Sequence, residues 1–204
     1  MIIAKPNMYD EIKFNENYTP IDLGGHKGII KNVSEYTSQI SGNTSLKVEV
    51  DTDSTDKQPG YFQKQYDNDT RSDKKWSTGA TKYVSLKEDE NCVKMLKSFI
   101  TSVENSNPDF TYDWNKDVDQ LKGKKVGLVF GLEEYQNQEG KLKTATKLNQ
   151  FRSLDKVDHV SIPKVRLVSG AYMDYDDYIE ETKESSNPFE ALEDVVEISD
   201  DILD

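Results

Sequence analysis

The spacing of apolar positions along the chain divides it into strand-like and helix-like stretches. Ile29-Ile30-Lys31-Asn32-Val33 predicts a first strand, and Leu46-Lys47-Val48-Glu49-Val50 alternates apolar and polar residues as a half-buried strand must. Between them Ser41-Gly42-Asn43-Thr44 carries hairpin-turn chemistry, because Gly and Asn tolerate positive φ. A third strand is expected at Tyr61-Phe62-Gln63-Lys64-Gln65-Tyr66, after the Pro59-Gly60 turn, with a long polar loop over residues 67–82. From Glu90 to Val103 the period becomes helical. Cys92, Leu96, Phe99 and Val103, with Met95 and Ile100, recur three and four residues apart, so Cys92 is expected as a core residue on a helix face. Asn105-Ser106-Asn107-Pro108 ends that helix. Val126, Leu128, Phe130 and Leu132 then alternate with Lys125, Gly127, Val129 and Gly131, and Leu142–Phe151 returns after an Asn137–Gly140 turn, which makes a hairpin.

Three strands, one helix and two strands predict a mostly β, α+β domain with one central helix. This is the element order of a five-stranded oligonucleotide-binding (OB) barrel, whose helix lies between its third and fourth strands. Residues 1–25 read as an irregular, aromatic-dotted leader ending at Gly24-Gly25. His26 follows as a solvent-exposed loop residue, and residues 26–172 form the domain.

Charge changes the picture at the C-terminus. The chain has 204 residues and a formal net charge of −12. Residues 174–204 hold 13 acidic residues against one basic residue, Lys183, so residues 1–173 are neutral overall. An acidic pI therefore does not exclude an anionic partner for the body. Such acid density cannot pack a core, and residues 173–204 are expected to be a disordered acidic tail. Phe189, Leu192, Val195, Val196, Ile198, Ile202 and Leu203 interleave with its acids. That pattern suits a ligand for a basic, apolar pocket on another protein; a plain solubilising tail is the simpler alternative. With no run of 18 apolar residues and no long apolar start, neither a membrane span nor a signal peptide is expected, and the chain reads as intracellular. The single Cys92 rules out an internal disulfide framework and a Cys-based zinc site.

Candidate chemistry is sparse for catalysis and richer for binding. The sequence has no P-loop, no GxSxG, no HExxH and no Cys/His cluster, so neither an enzyme nor a cofactor is expected. Asp51 with Asp53, or Glu133 with Glu134, are the carboxylate pairs a metal-dependent nuclease would need, but each sits at a strand end where a solvated acid is expected. Cations cluster twice. Residues 57–82 carry a local net charge of +3 and residues 121–152 a local net of +4. Phe62, Lys64 and Tyr66 would share one strand face, with Arg71, Lys74, Lys75 and Trp76 in the adjoining loop; Lys143, Lys147 and Phe151 would share another. Cations neutralise phosphates and flat rings stack on bases, at about 1–3 kcal/mol per base, so the two together suit single-stranded nucleic acid. Phe62 and Tyr66 could equally be core. A Trp in a polar loop, as Trp76 reads, has little core to bury in. Gly127 and Gly131 mark either a sharp bend or a close approach by a ligand.

Several blocks together resemble a family of bacteriophage proteins encoded in replication and recombination cassettes beside helicases and recombinases. They are the run from Gly60 to Arg71 with Lys74-Lys75-Trp76, then Phe99-Ile100 with residues 104–108, Trp114, Leu121-Lys122-Gly123-Lys124 and Glu133-Glu134-Tyr135. The resemblance spans roughly residues 20–165 and implies a single-stranded DNA-binding protein of the OB class in the bacterial host cytoplasm. The end of the chain, Glu197-Ile198-Ser199-Asp200-Asp201-Ile202-Leu203, is similar to the acidic tips with which such proteins recruit replication partners, although Asp204 stands where a terminal aromatic is usual. The expectation is thus single-stranded DNA held by Lys64, Arg71, Lys74, Lys75, Lys122, Lys124, Lys143 and Lys147. Bases would stack on Tyr61 or Phe62, Tyr66 and Trp76. Phe189, Ile198, Asp200, Asp201, Ile202 and Leu203 would meet replication or recombination proteins, and the protein could self-associate. An acidic DNA mimic that binds a host nuclease is the rival reading, and a body with clustered cations argues against it.

Overall fold

The computed structural model describes residues 19–185. Strands β1 (Gly24–Thr37) and β2 (Thr44–Thr52) form the predicted hairpin, closed at its tip by hydrogen bonds between Ser38 and residues 42 and 43. The pairing register shifts between Ile30 and Asn32, a bulge that sharpens the local twist. Next come helix α1 (Tyr61–Asn68), strand β3 (Thr81–Ser85) and the long helix α2 (Glu90–Ser106). The hairpin of β4 (Lys125–Gln136) and β5 (Leu142–Arg152) follows. The chain ends in a short helix α3 (Leu154–Val157), two-residue strands β6 (Val165–Arg166) and β7 (Tyr172–Met173), and helix α4 (Tyr175–Ser185).

The fold is α+β. The described strands form one open seven-stranded sheet rather than the closed five-stranded barrel expected. Its order runs β3-β2-β1-β4-β6-β7, and β5 pairs with β4 off that path. The main core lies between this sheet, α1 and α2, and centres on Phe62, Phe99, Phe130 and Phe151. Phe99 packs on Phe151 with ring centroids 4.5 Å apart, and Phe62 on Phe130 at 5.6 Å. Helix α2 starts where Asp89 accepts a 3.0 Å hydrogen bond from the Cys92 N–H, an N-cap that also favours the positive end of the helix dipole. Cys92 itself is half-buried and Met95 exposed; Phe99, Ile100 and Val103 carry the buried stripe.

Four expectations are corrected. The segment predicted as a third strand is α1, because residues about ten positions upstream cap its N-terminus. The Asp51 carboxylate accepts from the Phe62 N–H at 2.9 Å, and the Thr52 hydroxyl accepts from the Tyr61 N–H at 2.9 Å. Gly60, at φ 60°, turns the chain into that cradle. The true third strand, β3, lies within and just beyond what reads as polar loop; only Val84 of it is buried, so its pattern is weak. His26 is no loop residue. It sits in β1, 1% exposed, with Nδ1 2.9 Å from an Asp56 carboxylate oxygen and Nε2 3.1 Å from the Asp22 carbonyl oxygen.

The fourth correction concerns the two ends of the domain. Residues 154–178 cover the outer face of β4 and build a second apolar layer with Val129, Val157 and Val165, all fully buried. Glycine makes this possible. A Cβ at Gly25 would lie 1.9 Å from the Val157 carbonyl oxygen, and one at Gly127 would lie 2.8 Å from the Arg152 carbonyl oxygen and 3.0 Å from the Val157 Cβ. The close approach that Gly127 and Gly131 announce is thus by the chain itself, through α3 and Pro163. The acidic stretch does not begin as disordered chain at residue 173 either. It first forms β7 and α4, and Tyr178 is buried. At the front, Ile21 of the expected leader is buried in the core.

Candidate nucleic-acid interface

Two strand edges face each other across a groove. Among the described strands β3 ends one side of the sheet and β5 pairs with β4 alone, and between β3 and β5 lies a cavity of about 670 Å³. Lys47 of β2, Lys82 and Tyr83 of β3, Glu133 of β4, and Lys147 and Leu148 of β5 line it, and Lys75 and Trp76 close one end. Four lysines against one glutamate make it basic. The turn before β3 holds the two sides in register, with Lys147 donating a 3.0 Å hydrogen bond to the Thr78 hydroxyl.

The groove's charges are not idle surface lysines. Lys82 is half-buried, and burial pushes its ammonium below the usual lysine range, opposed by the Glu133 carboxylate. Glu133 is itself turned toward Arg166, at 2.6 Å. Lys47 pairs with Glu49 on its own strand. Lys75 is exposed at the rim. A phosphate placed among these groups would replace solvation that Lys82 has lost on folding.

Of the residues singled out from the sequence, this groove gathers Lys75, Trp76 and Lys147. Trp76 is half-buried. Its indole N–H donates to the Val50 carbonyl at 3.1 Å, and its ring packs 5.7 Å from Tyr66 at 39°. It is therefore both wall and anchor. Lys74 lies 4.5 Å over the Tyr66 ring and donates to the Tyr66 carbonyl, so that face of Tyr66 is closed to a base. Tyr61 is half-buried against the core, edge-on to Phe62 at 4.9 Å. Phe62 is 4% exposed and belongs to the core, not to a stacking surface.

The other cations are scattered or engaged. Lys64 is exposed on α1. Arg71 makes a two-pronged contact with Asp69, at 3.0 and 2.7 Å, and its guanidinium holds that carboxyl at about 2. Lys122 pairs with Asp119 at 2.8 Å, and Lys124 lies 4.5 Å over the Phe110 ring. Both precede β4, whereas Lys147 pairs with Gly131, so about 20 Å of strand separates them from the groove. Lys143 borders a different cavity, between α4 and the β4–β5 hairpin. Phe189, Ile198, Asp200, Asp201, Ile202 and Leu203 lie outside the described residues.

The pattern reading missed Lys47, Lys82 and Tyr83, together with Tyr36, whose ring lies 5.0 Å from that of Tyr83. Both tyrosines are exposed, at 43% and 46%. The signal was present in Thr81-Lys82-Tyr83-Val84-Ser85, a β-branched and aromatic run, but the polar residues around it masked it. The carboxylate pairs have structural work instead. Asp51 caps α1, Asp53 turns the following loop through Thr55, and Glu134 accepts from the Val168 N–H at 3.1 Å. Among the described residues no three metal-ligating side chains come together, and no helix is long and apolar enough to cross a membrane. No protein-family model matches the chain, and no curated protein matches it at a significant level.

Proposed function

We propose that the protein binds single-stranded DNA in the groove between β3 and β5, and that its first five strands are an OB barrel left open along that seam. The observation that carries this reading is the groove itself, where four lysines and the rings of Trp76 and Tyr83 converge. The order β3-β2-β1-β4-β5 with α2 between β3 and β4 supports the barrel assignment. In that class the faces of the second and third strands, with the loops joining strands one to two and four to five, contact the strand. Here those loops are residues 38–43 and 137–141. Phosphates meet Lys47, Lys75, Lys82 and Lys147, and bases stack on Tyr83 and the outward face of Trp76. The resemblance to phage replication and recombination proteins supports a role in coating DNA there, with the acidic end of the chain recruiting partners.

The test is binding to fluorescent oligonucleotides over a range of salt. Single strands should bind more tightly than duplex, because duplex bases are already stacked. If all four lysines meet phosphates, log affinity should fall against log salt with a slope of about −3. Tyr83→Ala should cost about 1–3 kcal/mol of binding with the melting temperature and the salt slope unchanged. Equal affinity for duplex, or affinity indifferent to salt, would sink this reading.

A further inference from the structure

Among the four lysines of the groove stands one acid, Glu133 of β4. A carboxylate facing a bound polyanion works against binding, yet Lys82 has a use for it. Lys82 is half-buried, so its ammonium has lost water and needs an opposing charge nearby. Lys47 has Glu49 on its own strand, and Lys147 donates to the Thr78 hydroxyl; Glu133 is the acid that acts on Lys82. Glu133 also has a second cation. Arg166 stands opposite it in the parallel β4–β6 register, with Nη1 2.6 Å from Oε1. Arg166 does not border the groove and reaches Glu133 from outside it.

Glu133 therefore lies between two cations, one inside the groove and one outside. Its side chain is 35% exposed and that of Arg166 53%, so neither is locked in place by packing. A phosphate arriving beside Lys82 takes over the neutralising part and repels the carboxylate. With Arg166 already in contact, Glu133 can yield Lys82 without being left unpaired. We propose that Glu133 holds the place of a phosphate beside Lys82 in the unbound protein, and that Arg166 draws it aside when a nucleic-acid strand enters. Arg166 is then a positioning residue for binding: it touches no phosphate and acts through Glu133. This inference rests on the reading of the groove as a nucleic-acid site. It also gives the C-terminal extension a part in binding, since β6 lies outside the five strands that frame the groove.

A double-mutant cycle on the full chain tests it, with a fluorescent thymidine oligonucleotide at low salt as the probe. Arg166→Gln should weaken binding about two- to fivefold, because the carboxylate then stays among the phosphates. Glu133→Gln should bind at least as tightly as the parent, and the double variant should match Glu133→Gln. An equal loss from Arg166→Gln in both backgrounds would make Arg166 a direct phosphate contact and overturns the proposal. A second readout needs no nucleic acid: the Lys82 side-chain resonances followed by NMR against pH. Glu133 favours the charged ammonium and Arg166 opposes it, so Lys82 should titrate higher in Arg166→Gln and lower in Glu133→Gln. Lys82 titrating alike in all four proteins also overturns the proposal. A parent that binds the oligonucleotide while both effects are absent overturns the exchange alone. A parent that binds none, with Lys82 shifting as expected, overturns the nucleic-acid reading and the exchange with it.

Discussion

Asp51, at the end of β2, and Asp56, in the loop that follows, are carboxylates held in opposite directions. Burial pushes Asp51 above the ordinary aspartate value of 3.8, against the N–H groups of Phe62, Thr52 and Gln63 that favour its charge. Burial also opposes ionisation of Asp56, but bonds from His26 and from the Gln58 and Lys27 N–H groups outweigh it, and its carboxyl lies below 3.8. The signs follow by linkage. Ionising Asp51 costs the folded state stability as pH rises past 3.8, and that cost is complete above its raised value. Asp56 contributes stability that is full above 3.8 and lost as pH falls through its depressed value. Asp51→Asn keeps an oxygen for the Phe62 N–H and sheds the charge, so at pH 7 it should melt no lower than the parent. Asp51→Ala, which orphans that N–H, should cost about 1–2 kcal/mol. Asp56→Asn should lower stability at pH 7 by about 1.5–3 kcal/mol and flatten the acid limb of the stability curve. Thermal melts from pH 2.5 to 8 check all three. The parts these residues play were invisible to pattern reading, because each acts on partners in other elements: α1 for Asp51, β1 for Asp56.

At the scale of elements, the fold turns on which segments find a cap or a slot. Helix α2 was readable because its apolar residues repeat locally and its cap, Asp89, adjoins it. Helix α1 was not, because its caps come from the end of β2. Helix α3 is four residues long and carries almost no pattern. What fixes it is a slot in the sheet where Gly25 and Gly127 leave room for Val157. Gly25→Ala should close that slot and lower stability by at least about 1–3 kcal/mol, since backbone stands 1.9 Å from the new methyl. Gly42→Ala meets no atoms and strains only a positive φ, so it should cost about 1 kcal/mol or less. Urea unfolding of the pair separates close packing from backbone strain.

At the scale of the whole molecule, the charge imbalance and the fold boundary no longer coincide. The acidic stretch begins at residue 174, yet α4 packs on the body, where Tyr178 is buried and borders one cavity together with Glu134. Truncation after Ser185 should leave the melting temperature unchanged, whereas truncation after Met173 should lower it. The shorter deletion still removes seven acids and no base. Tethered acids compete with phosphate for the lysine groove most strongly where screening is weakest. Cutting after Ser185 should therefore tighten single-strand binding at low salt, with the gain fading as salt rises. Binding unchanged or weaker after this cut would mean that the acidic end does not visit the groove.

By itself the sequence determined the β1–β2 hairpin, helix α2, the β4–β5 hairpin and the split of charge between body and C-terminus. Each is written in neighbours a few positions apart, where side-chain period, turn residues and charge density act directly. It also named Lys75, Trp76 and Lys147 without showing that they meet. Only the tertiary structure decided that residues 61–68 coil into α1, that His26 is buried, and that Phe62 is core. The choice of lysines was likewise tertiary. Lys47, Lys82 and Lys147 come from three strands, and no spacing along the chain encodes the distance across a sheet. Register does, and register is set by how the strands pair and by what packs on them.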